Sequence, residues 1–441
     1  MPFCAFRGKA WCISLKKKIK QINPSNGIIG EIKVPGDKSI SHRAVMLCSL
    51  ADGVSSVSGI QTGADVLATV EIMRKLGVQI DIISETEFKI HGKGLYGLRA
   101  PTAPLNAKNS GTTMRLLSGI LAWQNFDSVI IGDSSLSKRP MDRIIRPLSQ
   151  MGADIRSENG ALEISGRILS GIKHESLVAS AQVKSAILLA GLNAKGKTTI
   201  HEPIKTRDHT EVMLKQLGAD ISVKGNTITI IPKSALTLTN INIPGDFSSA
   251  AFFIVAALIT PNSHIIIKNV GISHERTGLL NVLKQMGADI KITPINSQDG
   301  EPIANIEAKS SLLIAASIDK RIVGNMIDEL PIFAVAAVFA CGTSIVKDAE
   351  ELKVKESNRI SAMASELKKL GADIKETNDG FIINGNNGER LKGGSVTSHG
   401  DHRVAMSLAI SGLTSEEGIT IEGFECVNVS YPKFGETLIL S

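Results

Sequence analysis

The sequence QMGADI at residues 150–155 returns almost unchanged at residues 216–221, 285–290 and 369–374, and a shorter form, KLGV, stands at residues 75–78. In every copy an amphipathic run ends on Leu or Met, and a glycine then precedes a new apolar segment. A glycine in the left-handed conformation commonly ends a helix, so the phrase predicts a helix, its cap and a following strand. Successive glycines lie 75, 66, 69 and 84 residues apart, which predicts a fold built from repeated units.

A second repeated element is a stretch rich in small apolar residues that starts at Ser, Thr or Asp. Such a helix is apolar nearly all round, so we expect each copy to be buried. The six stretches are residues 39–51, 110–122, 180–192, 248–259, 328–341 and 401–413. Each precedes a turn and a β-rich run. One unit therefore reads as strand, buried helix, strand, amphipathic helix and two strands, which predicts an α/β fold of six βαβαββ units.

The phrase VPGD at residues 34–37 is echoed by IPGD at residues 243–246, and each opens a set of three units. We therefore predict two similar domains, each an inside-out α/β barrel around its buried helices. The predicted boundaries are 1–22 for a basic N-terminal extension, 36–242 for the first lobe, and 23–35 plus 243–441 for the second. The strand at 27–34 is expected to complete the last unit, which Ser441 cuts short. Two short crossovers then predict a two-stranded hinge.

Composition excludes several classes of protein. A length of 441 residues favours roughly two to three domains. The apolar fraction of 43% and the charged fraction of 21% are ordinary for a globular chain. The net charge of +6 comes entirely from residues 1–30, so the body offers no basic surface for nucleic acid. No apolar run reaches the ~18 residues of a membrane span, so we expect no membrane partner.

The cysteines and the first residues bear on the compartment. The five cysteines are scattered without a C-x-x-C pair, and they are Cys4, Cys12, Cys48, Cys341 and Cys426. An odd, dispersed set argues against a disulfide framework and favours a reducing compartment. The first 22 residues lack a sustained apolar core and a small-residue cleavage site, so no signal peptide is predicted. We therefore expect a cytoplasmic protein.

Cations stand at equivalent points of the units, either in the first turns of the buried helices or where the amphipathic helices begin. They are Lys38, Arg43, Arg115, Arg139, Arg207, Lys355, Arg359 and Arg403. A cation opposes the helix dipole at that end and is costly to bury unpaired, so the pattern predicts that anions bind there. Arginine predominates, as expected where carboxylate and phosphate are gripped by two hydrogen bonds. Without a Walker A or G-x-G-x-x-G phrase, a nucleotide is not the predicted anion.

Two acids are candidates for proton transfer. Asp328 precedes an apolar helix, and Glu356 stands between Lys355 and Arg359. Neighbouring cations keep a carboxylate ionised and able to act as a base. Helix capping is the alternative role of Asp328. The phrase around Asp401 carries two histidines but no further ligand cluster, so no metal is predicted.

Five phrases together resemble one known family. They are PGDKSISHRA at 35–44, NSGTTMRL at 109–116, KRPM at 138–141, KESNR at 355–359 and DHR at 401–403. In this order they resemble the enolpyruvyl transferase family of 3-phosphoshikimate 1-carboxyvinyltransferase (EPSP synthase), over about residues 25–441. The resemblance implies two lobes closing over a cleft. It also implies transfer of the enolpyruvyl group of phosphoenolpyruvate to the 5-hydroxyl of shikimate 3-phosphate, through a tetrahedral adduct and without metal or organic cofactor.

The resemblance also implies roles for individual residues. Shikimate 3-phosphate would be held by Lys38, Ser39, Arg43, Ser180, Ala181, Gln182, Arg207, Asp328 and Lys355. Phosphoenolpyruvate would be held by Lys38, Gly111, Arg139, Gln182, Arg359 and Arg403. Asp328 would be the base toward the 5-hydroxyl, while Glu356 and Lys38 would handle the methylene proton and the departing phosphate. Val429 stands where some members have a lysine, and Arg207 replaces a tyrosine-containing phrase of others.

Two alternatives remain. The sister transferase acting on UDP-N-acetylglucosamine uses a loop cysteine before an Arg-Pro pair, and residues 134–138 contain none. The other alternative is a member of the RNA 3′-phosphate cyclase group, which is related by fold, or a polyanion binder. Either class predicts a charged protein body, whereas the charge here is balanced outside residues 1–30. The expected partners are thus two small-molecule substrates, bound by a monomer. We further expect cations on both lobes to repel each other until ligands close the cleft, and glyphosate to compete with phosphoenolpyruvate beside Gly111.

Overall fold

The computed structural model describes residues 19–177, 179–295 and 300–440. Two strands, β1 (Ile19–Ile22) and β2 (Ile29–Lys33), come before the first repeated unit. Six units follow, as the recurring phrases predict. No helix of the described residues is long and apolar enough to cross a membrane.

The first three units form one lobe. Unit 1 contains α1 (Lys38–Leu50), β3 (Ala51–Ser58), α2 (Ala64–Lys75), β4 (Gln79–Ile82) and β5 (Glu87–Lys93). Unit 2 contains β6 (Leu105–Asn106), α3 (Gly111–Leu121), β7 (Asp127–Ile131), α4 (Asp142–Gln150), β8 (Asp154–Glu158) and β9 (Ala161–Ser165). Unit 3 contains β10 (Lys173–Glu175), α5 (Ala181–Gly191), β11 (Thr198–His201), α6 (His209–Gln216), β12 (Asp220–Lys224) and β13 (Thr227–Ile231). Two short strands, β14 (Leu236–Thr237) and β15 (Ile241–Asn242), end the lobe.

The second three units repeat this order. Unit 4 contains α7 (Phe247–Ile259), β16 (His264–Gly271), α8 (Gly278–Gln285), β17 (Asp289–Ile295) and β18 (Ile303–Lys309). Unit 5 contains β19 (Ser317–Ile318), α9 (Lys320–Val323), α10 (Leu330–Val338), β20 (Thr343–Val346), α11 (Arg359–Lys369), β21 (Asp373–Glu376) and β22 (Phe381–Asn384). Unit 6 contains β23 (Gly394–Thr397), α12 (His402–Leu413), β24 (Ile419–Glu422) and α13 (Phe434–Leu440). Short 3₁₀ helices lie at Leu136–Lys138, Glu350–Val354 and Phe424–Val429.

Each unit contributes most strands of one sheet, and the three units that complete their sheets alone share one strand order. Units 2, 3 and 5 read β6-β7-β9-β8, β10-β11-β13-β12 and β19-β20-β22-β21. In each, the first two strands are parallel across the buried helix, and the remaining neighbours are antiparallel. The predicted left-handed caps are present, with φ of 91° at Gly77 and 97° at Gly371. The repeat prediction is therefore confirmed at the level of hydrogen bonding.

Strands from outside complete the first and fourth sheets. β14 and β15 pair parallel with β3, and β2 pairs parallel with β16, where His264 faces Ile29. The expectation that residues 27–34 complete the last unit is wrong. The isolated bridge of Gly245 to Val270, at the end of β16, brings the crossover beside unit 4, so β2 reaches that sheet instead.

The last sheet is completed by β1, which pairs antiparallel with β24 and sets Ile19 opposite Glu422. The predicted basic extension of 1–22 includes residues 19–22, so that prediction is wrong for these four residues. Two polar residues separate the apolar Ile19 and Ile22, and only Ile22 is buried, in the second core. Residues 1–18 of the predicted extension lie outside the described residues.

The buried helices are the core of each lobe, as predicted. Every residue of α7 is buried, and so are residues 40–50 of α1. One cluster of buried apolar side chains runs from Ile40 to Ile243. A second cluster joins Ile22–Val34 to the chain from Phe247 onward. The lobe boundaries at 35/36 and 242/243 stay a prediction, although these clusters divide the chain close to them.

The two crossovers run side by side as a short antiparallel pair. The Asp37 N–H donates to the Pro244 carbonyl and the Asp246 N–H donates to the Pro35 carbonyl, both at 2.8 Å. Gly36 lies within this pair, where a Cβ would stand 1.7 Å from the Gly59 carbonyl oxygen. The hinge therefore needs glycine at residue 36.

We predict that Gly36→Ala lowers the free energy of unfolding by about 3 kcal/mol or more, because a backbone carbonyl must move to admit the methyl group. Urea unfolding followed by circular dichroism measures it. Gly324→Ala is the control, since Gly324 is right-handed helical and has no atom within 4 Å of the added Cβ. Equal midpoints for the two variants would contradict the prediction.

Candidate active site

A cleft of about 460 Å³ lies between the lobes. Its wall includes the N-terminal ends of α1, α5 and α12, and the turns that precede α6 and α11. The N–H groups of a helix N-terminus and its partial positive charge favour anions. Nine lysines and arginines and six carboxylates line the cleft, so its charge is positive.

Most of the predicted site residues meet on this wall. They are Lys38, Ser39, Arg139, Ser180, Ala181, Gln182, Arg207, Asp328, Lys355, Glu356, Arg359 and Arg403. These residues come from five units spread over more than 350 positions of the chain, so folding alone explains their meeting. Their roles as ligands or catalytic groups stay predictions.

Two predicted residues do not line the cleft. Arg43 is only 4% exposed and donates to Thr210 Oγ1 at 2.7 Å, Ser185 Oγ at 2.8 Å and the Ser39 carbonyl at 2.9 Å. Its guanidinium thus ties α1 to α5 and α6. Burial lowers the pKa of Arg43 to about 10, so it stays charged at neutral pH.

Gly111 lies behind the wall rather than on it. A Cβ there would stand 3.3 Å from Arg139 Nη1 and 3.5 Å from Arg115 Nη1. The glycine therefore leaves room for two guanidinium groups, which in turn face the cleft. Arg115 donates to Gln182 Oε1 at 2.5 Å, and Gln182 donates to Thr112 Oγ1 at 2.9 Å. This chain of contacts fixes the amide of Gln182.

Arg359 is the most buried cation of the site, with 1% of its surface exposed. Its guanidinium meets three carboxylates: Asp401 at 2.8 Å from Nε, Glu356 at 2.6 Å from Nη2 and Asp328 at 3.4 Å from Nη1. Burial opposes its charge, but these carboxylates outweigh burial and raise the pKa of Arg359. A residue so constrained holds the acids around it in fixed positions.

Asp328 stays ionised despite its burial. Burial alone would raise the pKa of Asp328, but the guanidinium groups of Arg207 and Arg403 hold it well below its usual range. Arg207 Nη2 contacts Asp328 Oδ2 directly, and Arg403 Nη2 lies 4.0 Å from the same oxygen. A carboxylate with this charge can accept a proton.

Glu356 is held in the same way from both lobes. Burial alone would raise the pKa of Glu356, but Arg359 and Arg139 hold it well below its usual range. Arg139, from the first lobe, places Nη1 3.5 Å from Glu356 Oε1. The expectation that cations on the two lobes simply repel each other is therefore wrong, because carboxylates of the second lobe pair with cations of the first. Ligand-driven closure stays a prediction.

Lys38 has a counter-ion that sequence reasoning missed. Its Nζ contacts Asp65 Oδ2 at the start of α2. Burial raises the pKa of Asp65, and Lys38 opposes that rise. Asp65 occupies the point of unit 1 at which Arg139 and Arg207 stand in units 2 and 3. This equivalence between units is the sequence signal that could have identified Asp65 as a site residue.

Arg143 and Arg276 were also missed. Arg143 pairs with Glu351 across the cleft at 2.8 Å, and Arg276 lines the cleft just before α8. Both lie where an amphipathic helix begins. The cation set read from the repeats included this position in units 2, 3 and 5 only. Including the same position in unit 4 would have identified Arg276.

The remaining sequence candidates lie elsewhere. Val429, where some family members have a lysine, has Lys433 nearby in sequence, but Lys433 pairs with Glu85 at 2.7 Å and does not line the cleft. His399 contacts Glu366 at 2.8 Å, while Asp401 faces Arg359. Across residues 19–177, 179–295 and 300–440, no three His, Cys, Asp or Glu side chains are grouped to hold a metal ion.

Comparisons with known proteins cover nearly the whole chain. A family model described as EPSP synthase (3-phosphoshikimate 1-carboxyvinyltransferase) matches residues 22–438. The 3-phosphoshikimate 1-carboxyvinyltransferase of Thermoanaerobacter sp. (strain X514) is 49% identical over 92% of this chain and 96% of its own. The enzyme of that name from Bacillus cereus (strain G9842) is 50% identical over 96% and 99%. A solved EPSP synthase from Acinetobacter baumannii superposes with a TM-score of 0.86 at 45% identity, over 96% of this chain and 98% of that one.

The depressed pKa of Glu356 predicts how stability depends on pH. In the unfolded chain a glutamate has a pKa near 4.3, so the native state releases this proton more readily. Its stabilising contribution is present above that pH and is lost as the pH falls through the native pKa. Below about pH 5 the free energy of unfolding of the wild type should fall as the pH falls. We predict that Glu356→Gln makes this slope against pH shallower by up to about 1.4 kcal/mol per pH unit.

Urea unfolding between pH 3 and pH 7 measures that slope. Glu417→Gln is the matched control, because Glu417 is exposed and does not line the cleft. If the wild-type and Glu356→Gln curves run parallel below pH 5, the carboxylate is not held in its charged form and the prediction is wrong.

Proposed function

The chain belongs to the EPSP synthase family, and we propose that its cleft transfers the enolpyruvyl group of phosphoenolpyruvate to the 5-hydroxyl of shikimate 3-phosphate. The products are 5-enolpyruvylshikimate 3-phosphate and phosphate. The reaction belongs to the shikimate pathway to chorismate and aromatic amino acids. The observation that carries this proposal is that the residues of five separate family phrases line one positively charged cleft.

The charge of the cleft suits this pair of substrates. Each substrate carries a phosphate and a carboxylate, so the two repel each other in solution. Cations that surround both reduce that repulsion, and buried cations do so more strongly than cations in water. The excess of cations over carboxylates on the wall supports binding of two anions at once.

We assign the two substrates to two overlapping sets of residues. Shikimate 3-phosphate is assigned to Lys38, Ser39, Arg43, Ser180, Ala181, Gln182, Arg207, Asp328 and Lys355. Phosphoenolpyruvate is assigned to Lys38, Gly111, Arg139, Gln182, Arg359 and Arg403. Arg43 and Gly111 lie behind the wall, so their part is to orient Ser39 and Arg139.

In the proposed reaction Asp328 accepts the proton of the 5-hydroxyl as its oxygen bonds to C2 of phosphoenolpyruvate. A proton adds to the C3 methylene, which gives the tetrahedral adduct. The C2–O bond to phosphate then breaks, phosphate leaves, and the new methyl group gives up a proton to restore the double bond. Glu356 and Lys38 share the proton transfers at C3 and the charge of the departing phosphate.

Substrate binding would also activate Asp328. In the empty cleft Arg207 and Arg403 hold the pKa of Asp328 low. Arg207 is assigned to one substrate and Arg403 to the other. When their charges are taken up by substrate anions, the pull on Asp328 weakens and its basicity rises. The base then reaches full strength only when both substrates are bound.

The decisive experiment is an assay of phosphate release from phosphoenolpyruvate. Release should require shikimate 3-phosphate, and the organic product should carry the enolpyruvyl ether. Release that requires UDP-N-acetylglucosamine instead would assign the sister activity. ATP-dependent cyclisation of an RNA 3′-phosphate, with no release in either assay, would overturn the proposal.

Three further properties belong to the same proposal. We propose that the enzyme acts as a monomer, because both substrate sets come from one chain. We propose a cytoplasmic location, which scattered cysteines favour. Competition by glyphosate with phosphoenolpyruvate stays a prediction.

Asp328→Ala should lower kcat by at least about 100-fold, because a general base supplies about 10²–10⁴-fold of rate. The KM values should change far less, since the cations that grip the phosphates remain. Steady-state kinetics with each substrate varied measures both. Asp373→Asn, an exposed acid at the start of β21, is the control with near wild-type kcat. Losses of equal size in kcat and in affinity would mean that Asp328 acts by binding shikimate 3-phosphate and not as the base.

A further inference from the structure

Arg276 is a buried cation that no substrate assignment uses. It is 4% exposed, and its guanidinium lies between two carboxylates. Nη2 lies 2.9 Å from Asp246 Oδ1, and Nη1 lies 3.4 Å from Asp37 Oδ2. Asp37 belongs to the first lobe and Asp246 to the second, and they are the last residues of the two echoed Pro-Gly-Asp phrases. Arg276 therefore joins the lobes where the chain crosses between them.

Each of these aspartates caps a buried helix. Asp37 accepts from the Ile40 N–H at 2.8 Å at the start of α1, and Asp246 accepts from the Ser248 N–H at 2.8 Å at the start of α7. The Lys38 N–H also points to Asp246 Oδ2, at 3.5 Å. Two buried carboxylates this close repel each other unless a cation stands between them. Arg276 is the cation in that place.

The contacts of Arg276 continue to the wall of the cleft on both sides. On the first lobe, Asp37 fixes the turn of α1 that carries Lys38 and Ser39. On the second lobe, Arg276 Nη2 donates to Ser248 Oγ at 2.8 Å, and Ser248 Oγ donates to Glu329 Oε1. Glu329 in turn lies 3.8 Å from Arg403 Nη1. One guanidinium thus orients a cation of each lobe.

We propose that Arg276 is a positioning residue that sets Lys38 of one lobe and Arg403 of the other at a fixed separation across the cleft. The proposal rests on the proposed function for the identity of the ligand. Arg403 belongs to the phosphoenolpyruvate set alone, whereas Lys38 is shared by the two substrate sets. In the shikimate 3-phosphate set, Ser180, Gln182 and Lys355 make no contact with this network. Loss of Arg276 should therefore weaken the binding of phosphoenolpyruvate more than the binding of shikimate 3-phosphate.

The first test is Arg276→Met, which keeps the length of the side chain and removes its charge. KM for phosphoenolpyruvate should rise about tenfold or more, while KM for shikimate 3-phosphate should rise less than about threefold, since tenfold corresponds to one lost charged contact. Arg276→Lys keeps the charge but cannot span two carboxylates, so it should give a smaller rise of the same selectivity.

The second test is rescue by removing the repulsion. Asn is as good a helix cap as Asp, so Asp246→Asn keeps the cap of α7 and deletes one negative charge. In the double variant Arg276→Met with Asp246→Asn, KM for phosphoenolpyruvate should return to within about threefold of wild type. If Arg276 contacts the substrate itself, the second substitution restores nothing, and that result overturns the proposal.

The control is Arg390→Met. Arg390 is also a partly buried arginine with several hydrogen bonds, to the Ser415 and Ser25 carbonyls, but it does not line the cleft. Arg390→Met should lower stability and leave both KM values near wild type.

Equal rises of both KM values in Arg276→Met would overturn the proposal. If Arg276→Met does not fold, Arg276→Lys decides by the same comparison. An inactive wild type would instead refute the proposed function, which keeps the two failures apart.

Discussion

Pairing of arginines on one lobe with carboxylates on the other is the interaction on which the site depends. Arg207 meets Asp328, Arg139 meets Glu356 and Arg143 meets Glu351. Removing charges from water costs several kcal/mol per ion, so neither lobe could bury its half of these groups alone. The cleft is therefore a property of the two lobes together. If substrate anions bind as proposed, they compete with the resident carboxylates for the same guanidinium groups, and binding is then linked to the ionisation of the acids.

Much of the fold could be predicted because its signals are local. A glycine cap, an apolar helix and a β-rich run each occupy a few neighbouring residues, and their repetition indicated six units. The strand β1 escaped prediction because its four residues adjoin a basic stretch and its partner, β24, lies near the other end of the chain. The pairing of β2 with β16 was not predicted for the same reason. Sheet partners distant in sequence leave no local signal.

The site was predictable to the extent that motifs specify it, and the rest depended on packing. Whether a cation near a helix start faces the cleft depends on how that helix is rotated against its neighbours. Lys38 faces the cleft, whereas Arg43, on the next turn of α1, turns toward α5 and α6. Counter-ions were harder still, since Asp65 and Arg276 match no family phrase. Their partners became apparent only when the units were placed side by side.

The N-terminal strands also set an order of events during synthesis. The first lobe has all its strands once β15 has emerged, but β1 and β2 leave the ribosome long before their partners exist. β24 ends at Glu422, so at about 5–20 residues per second β1 waits on the order of 20–80 s for its place. Nascent residues 19–33 thus remain open to chaperones and proteases while one half of the enzyme is already formed. The second half can assemble only after translation is almost finished.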